Sequence, residues 1–241
     1  MKAILLAAGR GTRISRIIKE IPKSTLPVDG TPLIRRSVTM LLDRNIKPIV
    51  CVGYCKEKIY EALEGLDVEY YYNPFYDVTN SIASLWFARK ELTEDTIILN
   101  ADVYFTNEIL DTIISEKKDV SLMVDKSRTK IGDFFLKTEN GYIIKYGKEL
   151  PIEERSCEYV GIGKIRKSFI KEFKDKLNCL VSSQQHQLWW ENILYSLIED
   201  RAIDTIDVNG KFWSEIDYFD DYERILNYIS KNDKKELYNI S

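Results

Sequence analysis

The chain begins with a short apolar run that leads directly into a loop of small residues. Residues 2–13 are KAILLAAGRGTR, and a lysine follows in IPKSTLPV at Lys23. An apolar run of this length, between a charged residue and a glycine turn, predicts a buried parallel strand over residues 2–6. The small residues let backbone N–H groups approach phosphate oxygens, and Arg13 and Lys23 add positive charge. The sequence therefore predicts a site for a nucleoside triphosphate at the end of this strand.

The Gly-x-Gly pattern alone is weak support for such a site, because a tight turn after a strand uses the same residues. The chain lacks the G-x-x-x-x-G-K-[ST] loop and the third glycine of a dinucleotide-binding loop. The longer pattern is LAAGRGTR, a spacer, PK and then GTPLI at residues 30–34. It resembles the N terminus of the nucleotidyltransferases that couple a nucleoside triphosphate to a phosphorylated sugar or alcohol. The resemblance covers the first half of the chain and reappears near its C terminus.

Length and charge narrow the classes of protein to be considered. The 241 residues predict a single domain, with a nucleotide-binding core over 1–125 and an acceptor-binding lobe with a metal-ligand element over 126–241. A net charge of −3 and a pI near 5.5 give no general attraction to nucleic acid or to an anionic membrane. The four cysteines match no zinc spacing and predict free thiols. We expect a cytoplasmic protein, because no apolar run has the length of a signal peptide or membrane span. The sequence does not decide between a monomer and a homodimer.

Strand and helix patterns alternate through the first half of the chain. This order predicts an α/β fold, with a mostly parallel, Rossmann-like central sheet and helices on both faces. The pattern then changes to short strands, which predict a small lobe of a β-hairpin and helices. The ENG triplet at residues 139–141 predicts the hairpin turn, and residues 188–200 and 220–230 have the spacing of helices.

Ligands of open α/β sheets bind at the carboxyl ends of the strands. The family resemblance implies that the segment after the third strand, residues 73–84, recognises the base of the nucleotide. Taken singly, these residues are equally well explained by an Asn-Pro turn and a helix cap at Thr79 or Asn80. The expected nucleotide contacts are Leu6, Ala7, Ala8, Gly9, Gly11, Thr12, Arg13, Lys23, Tyr54, Asn73, Asn80, Ser81 and Ser84.

Two acidic elements lie far apart in the sequence. Asp102 ends the apolar strand IILNAD, although a cap or turn also explains an aspartate there, and WSEID at residues 213–217 supplies Glu215 and Asp217. Carboxylate oxygens are ligands that Mg²⁺ prefers. The second element resembles the W-x-E-I-D element of the bacterial CTP:phosphocholine cytidylyltransferases. That resemblance implies that Asp102, Glu215 and Asp217 together hold Mg²⁺.

The resemblance also implies a reaction. The phosphate of an acceptor attacks the α-phosphorus of CTP, or of another nucleoside triphosphate, and pyrophosphate leaves. A phosphate monoester is nucleophilic at neutral pH, so no general base is needed and the single histidine, His186, is not expected to be catalytic. Lys23, Arg13 and Asp102 are the expected catalytic residues, acting by positioning and charge neutralisation.

The acceptor is predicted less directly. Aromatic faces and carboxylates can hold a quaternary ammonium group, although core packing accounts for most tryptophans. The short chain and the E-I-D element at residues 215–217 favour phosphocholine or a similar small phosphate or phosphonate over a sugar phosphate. A sugar-1-phosphate nucleotidyltransferase would share every N-terminal feature, whereas a glycosyltransferase would want Asp-x-Asp where this chain has NAD at residues 100–102. Besides Trp189, the expected acceptor contacts are Trp86, Tyr159, Trp190, Glu191 and Trp213.

Overall fold

The computed structural model of the chain describes residues 1–11 and 21–239, with the backbone alone for 233–239. The strands are β1 (Lys2–Ala7), β2 (Pro27–Val28), β3 (Thr31–Pro32), β4 (Lys47–Val52), β5 (Glu69–Tyr72), β6 (Thr96–Asn100), β7 (Val103–Phe105), β8 (Val120–Asp125), β9 (Phe135–Glu139), β10 (Tyr142–Gly147), β11 (Cys157–Ile165), β12 (Asp204–Asp207) and β13 (Trp213–Glu215). The α-helices are α1 (Leu33–Leu42), α2 (Lys56–Ala62), α3 (Ser81–Phe87), α4 (Asn107–Ser115), α5 (Lys167–Ser182), α6 (Asn192–Tyr195) and α7 (Phe219–Asn239).

Nine of the strands form one twisted sheet in the order β5-β4-β1-β6-β11-β8-β12-β10-β9. Strands β5, β4, β1 and β6 are parallel neighbours, and β8 is parallel to β12. Only β11 and β10, of the strands described in this sheet, run against the common direction. The predicted mostly parallel sheet is therefore confirmed, and the carboxyl ends of β1 and β6 lie side by side.

Alternate residues of the central strands face two separate cores. Ile4 packs into one hydrophobic cluster with residues of α3 and α5, while Leu5 packs into another with residues of α1, α2 and α4. Successive side chains of a strand point to opposite faces, so a strand buried on both faces is apolar throughout. The predicted helices on both faces of the sheet are confirmed.

Two local predictions rest on turn and cap chemistry. Asn140 and Gly141 both have positive φ, 52° and 86°, as the two-residue turn between β9 and β10 requires. Asn80 is the N-cap of α3, and its side chain accepts a hydrogen bond from the Ser81 N–H at 2.8 Å. Both predictions are confirmed.

The helix predicted over residues 188–200 is wrong in extent, because the α-helix there is only Asn192–Tyr195. The preceding segment is held by α3 instead. The Asn80 N–H donates to the His186 carbonyl at 2.9 Å, and the Trp190 N–H donates to Ser81 Oγ at 2.9 Å. The Ile82 N–H also donates to the Leu188 carbonyl at 3.3 Å, and a helix starting at residue 188 would need this carbonyl for its first internal bond, so tertiary contacts override the local pattern.

The structure bears on two predictions made from composition. All four cysteines are free thiols. Among the described residues, every helix is too short or too polar to span a membrane.

Candidate active site

A cleft of about 410 Å³ opens at the carboxyl ends of β1 and β6. Most of the lining falls into two groups by chain position: the glycine loop with the start of α3, and residues between 133 and 191 from the second half of the chain. The lining residues are Leu6, Ala7, Ala8, Gly9, Gly11, Pro22, Lys23, Ser24, Tyr76, Thr79, Asn80, Ser81, Ser84, Asn100, Ala101, Asp102, Asp133, Phe134, Lys148, Glu158, Tyr159, Trp189, Glu191, Glu215 and Asp217. We call the first the nucleotide end and the second the acceptor end.

The glycine loop and Lys23 form one unit at the nucleotide end. Gly11 has a φ of +58°, and a Cβ placed on it would lie 2.7 Å from Cγ of Lys23. A side chain at this position would thus both strain the backbone and displace the lysine. The glycine allows the Lys23 stem to lie against the loop, so that its ammonium group reaches the cleft.

The two acidic elements meet through a pair of short strands that the sequence did not predict. Strand β13 pairs antiparallel with β7, with Glu215 opposite Val103. The Ile216 N–H donates to the Asp102 carbonyl at 3.0 Å, which fixes the two segments beside each other. Asp102, Glu215 and Asp217 therefore all line the cleft.

The ammonium group of Lys23 contacts two of these acids. Its Nζ lies 2.6 Å from Oδ1 of Asp217 and 3.8 Å from Oδ2 of Asp102. Burial alone would lower the pKa of Lys23, but the Asp102 and Asp217 carboxylates outweigh it and raise that pKa. Burial, followed by repulsion from the same two carboxylates, raises the pKa of Glu215 well above its ordinary value. The site thus concentrates negative charge around one lysine.

Asp102, Glu215 and Asp217 offer the oxygen ligands that Mg²⁺ prefers, but they are not arranged as a complete site of three ligands. Their oxygens are hard carboxylate donors, and the three acidic side chains outnumber the one ammonium group, that of Lys23, which contacts two of them. Among the side chains described, those of residues 1–11 and 21–232, no group of three or more acidic, histidine or cysteine residues is spaced to hold a metal. Asp102, Glu215 and Asp217 line one cleft, and their role as a set of three ligands stays a prediction. Mg²⁺ commonly uses one or two carboxylates and completes its shell with phosphate oxygens, which this arrangement fits.

Most of the expected nucleotide contacts that the structure describes line the cleft, and the two exceptions, Asn73 and Tyr54, bond to residues that line it. Asn73 is buried, and its amide donates to Ser84 Oγ at 3.0 Å and to Thr79 Oγ1 at 3.1 Å. Tyr54 lies beside the cleft, and its N–H donates to the Ala8 carbonyl at 3.0 Å. We correct both from expected contacts to residues that position the lining. Thr12 and Arg13 lie outside the described residues.

Three tryptophans expected at the acceptor end do not line the cleft. Trp86 donates from its indole nitrogen to Asn178 at 3.1 Å, and Trp213 donates to Asp125 at 2.8 Å. Trp190 is fully buried, whereas the adjacent Trp189 is 38% exposed and faces the cleft. The expected aromatic wall is thus corrected: ordinary packing or hydrogen bonding accounts for Trp86, Trp190 and Trp213.

Tyr159 and Glu191 do line the acceptor end, together with residues that sequence reasoning missed. Phe134 stacks on Tyr195 with ring centroids 5.6 Å apart. Lys148 Nζ lies 2.6 Å from Oδ2 of Asp133 and 5.1 Å from the ring centroid of Trp189. No sequence motif marks Asp133, Phe134 and Lys148, because they come from the segments before β9 and after β10 and meet only in the folded chain. Trp189 was among the aromatic candidates, and it lines the cleft.

Two buried carboxyl groups line the acceptor end. Burial raises the pKa of Glu158 to about 7, although Arg128 Nε lies 2.6 Å from its Oε2. Burial likewise raises the pKa of Glu191 to about 7, and its Oε2 has no hydrogen-bond partner in the described part of the chain. A buried carboxyl with an elevated pKa is common in functional sites.

We expect the Glu191 carboxyl to weaken the fold as the pH rises. The unfolded chain ionises this group near pH 4.3, whereas the folded chain keeps the proton until about pH 7. The free energy of unfolding therefore falls between these two pH values. In Glu191→Gln this fall should be smaller by up to about 3 kcal/mol, measured by urea denaturation from pH 4 to 8. Exposed Glu149→Gln is the control, and an unchanged pH slope in Glu191→Gln would contradict the assignment.

The comparisons with known proteins agree with this geometry. Residues 3–196 match the sequence model of the MobA-like NTP transferase domain. The chain is 30% identical to the choline-phosphate cytidylyltransferase of Haemophilus influenzae, over 98% of this chain and 100% of the relative. It is 28% identical to the CTP:phosphoglutamine cytidylyltransferase of Campylobacter jejuni, over 92% and 98%.

A solved structure shows the same fold. The CTP:phosphocholine cytidylyltransferase from Streptococcus pneumoniae superposes with a TM-score of 0.77 at 22% identity, covering 95% of this chain and 98% of that one. At this identity the likeness speaks for the fold alone.

Proposed function

Since the chain belongs to the MobA-like NTP transferase family and is a nucleotidyltransferase, we propose that it transfers CMP from CTP to a small phosphorylated acceptor. Phosphocholine or a similar small phosphate or phosphonate is the acceptor class, and pyrophosphate is the second product. Both cytidylyltransferase relatives match nearly the whole chain, including the segment that forms the acceptor end.

The observation that carries this proposal is that Lys23 and the two acidic elements share one cleft with the glycine loop. Lys23 contacts Asp102 and Asp217, and all three line the same cleft as the glycine loop and the aromatic and acidic acceptor end. A triphosphate on the loop would place its α-phosphate near these charges, with the acceptor phosphate approaching from the other side. This is the arrangement that an in-line displacement at phosphorus needs.

The described residues have separate roles in the proposed reaction. Ala8, Gly9 and Gly11 let the backbone approach the triphosphate, and Lys23 neutralises charge on the phosphates. Asn80, Ser81 and Ser84 border the pocket in which the base would lie. Arg13, outside the described residues, is proposed as a second cation at the phosphates. The acceptor phosphate is itself the nucleophile, so no side chain has to remove a proton.

We propose Mg²⁺ as the metal cofactor. Asp102 and Asp217 would hold it, with Glu215 beside them, and when bound it would neutralise the phosphate oxygens as a Lewis acid. Its positive charge would also offset the repulsion among these carboxylates.

An acceptor screen tests the proposed function. Pyrophosphate release is measured with CTP, UTP, dTTP and ATP against phosphocholine, phosphoethanolamine, 2-aminoethylphosphonate and glucose 1-phosphate, with and without Mg²⁺. We expect turnover with CTP and one of the nitrogen-bearing acceptors, and a loss of turnover when Mg²⁺ is chelated. Efficient turnover of glucose 1-phosphate alone would instead make the chain a sugar-1-phosphate nucleotidyltransferase.

A further inference from the structure

One carboxyl oxygen at the acceptor end has no hydrogen-bond partner among the described residues. Glu191 is 5% exposed, it lines the cleft, and no donor reaches its Oε2 within the described residues. Buried polar atoms nearly always have a partner, because leaving one without a partner is costly. A molecule that fills this end is therefore best accommodated when it brings an N–H or O–H group to Glu191.

The aromatic face of Trp189, at the same end of the cleft, already lies close to a cation of the chain itself, Lys148. Lys148 Nζ lies 5.1 Å from the centroid of the Trp189 ring and is anchored 2.6 Å from Asp133. A quaternary ammonium group binds through several open aromatic faces and donates no hydrogen bond. Here it would meet the positive charge of Lys148 at Trp189 and would leave Glu191 Oε2 without a donor.

From these two observations, and resting on the proposed cytidylyltransferase function, we infer that the preferred acceptor carries a primary ammonium group that donates to Glu191. Such a group brings N–H donors and a positive charge to the Glu191 carboxyl. The positive charge favours the ionised form of this carboxyl, and the pair is then a charge-assisted hydrogen bond. It is also small enough to lie beside Lys148 without needing the face of Trp189. Glu191 and Lys148 thus act as specificity residues, the first by accepting N–H donors and the second by covering the face of Trp189 that a trimethylammonium group would need.

The methylation series of one acceptor tests this inference. Phosphoethanolamine, its N-methyl and N,N-dimethyl forms and phosphocholine differ only in the number of N–H donors. With CTP and Mg²⁺, we expect kcat/KM to fall along the series, by about 10-fold or more from the first to the last. Equal or better use of phosphocholine would overturn the inference while leaving cytidylyltransfer itself intact. No pyrophosphate release with any acceptor would overturn both.

Two variants assign the preference to residues. Glu191→Gln should lower kcat/KM for phosphoethanolamine by about 10-fold and for phosphocholine by less than about 3-fold, with the KM for CTP unchanged. Glu149→Gln is the matched exposed control. Equal losses for both acceptors would show a structural role for Glu191 and contradict the inference.

Lys148→Met provides a test by gain of activity. Removing the ammonium group uncovers Trp189, so kcat/KM for phosphocholine should rise relative to phosphoethanolamine by about 3-fold or more. Lys145→Met is the control, because Lys145 lies on β10 just before Lys148, pairs with Glu154 and is outside the cleft lining. If Lys148→Met leaves the ratio of kcat/KM for phosphocholine to kcat/KM for phosphoethanolamine unchanged, Lys148 does not exclude the quaternary group. If Glu191→Gln fails to fold, the ratio measured for Lys148→Met decides the inference alone.

Discussion

Lys23→Met should lower kcat by about 10²–10³ while the chain still folds. The ammonium group of Lys23 is mostly buried, reaches the cleft through the space left by Gly11 and contacts Asp102 and Asp217. Methionine keeps most of the side-chain volume and removes the charge. A fixed charge aimed at a transferring phosphoryl group is typically worth a factor of this size.

The measurement is steady-state pyrophosphate release with CTP and the best acceptor, together with thermal unfolding of each variant. The KM for the acceptor should change by less than about 3-fold, because Lys23 is placed at the phosphates and not at the acceptor head group. Lys58→Met is the control, because the side chain of Lys58 is exposed on helix α2. Near-normal turnover in a folded Lys23→Met would remove Lys23 from the reaction.

The parallel half of the fold was predictable because its signals are local. Strands β1, β4 and β6 are apolar except at their end residues, as expected for strands buried on both faces, and the caps and turns between elements have their own residue signatures. Strands β7 and β13 were missed for the opposite reason. Each has three residues, and each is defined by pairing with a segment more than a hundred residues away.

The candidate site divides in the same way. The glycine loop and Lys23 lie in one continuous segment, and the acidic residues end recognisable elements, so the sequence predicts that they line a common cleft. The acceptor end was predicted poorly because residues 186–191 follow the hydrogen bonds of α3 and not a helical repeat. No periodicity indicates that Trp189 faces the cleft while Trp190 is buried behind it.

Asp102→Asn and Asp217→Asn should each abolish Mg²⁺-dependent turnover, with a loss of about 10³-fold or more. Their segments are fixed to each other by the bond between the Ile216 N–H and the Asp102 carbonyl, and both side chains contact the same ammonium group. Asparagine preserves the shape of each side chain and removes its charge. If both acids serve one metal, the double variant should lose little more than either single variant, because residues that act as a unit are not additive.

Titration with Mg²⁺ separates this role from simple support of Lys23. A lost metal ligand should raise the Mg²⁺ concentration needed for half-maximal activity beyond the accessible range in both single variants. A carboxylate that only orients Lys23 would instead lower kcat at an unchanged Mg²⁺ requirement, and that result would contradict the proposed ligand role. Asp220→Asn is the matched control, since Asp220 follows closely in the chain but lies outside the cleft lining. Its activity and its Mg²⁺ dependence should both equal those of the unaltered chain.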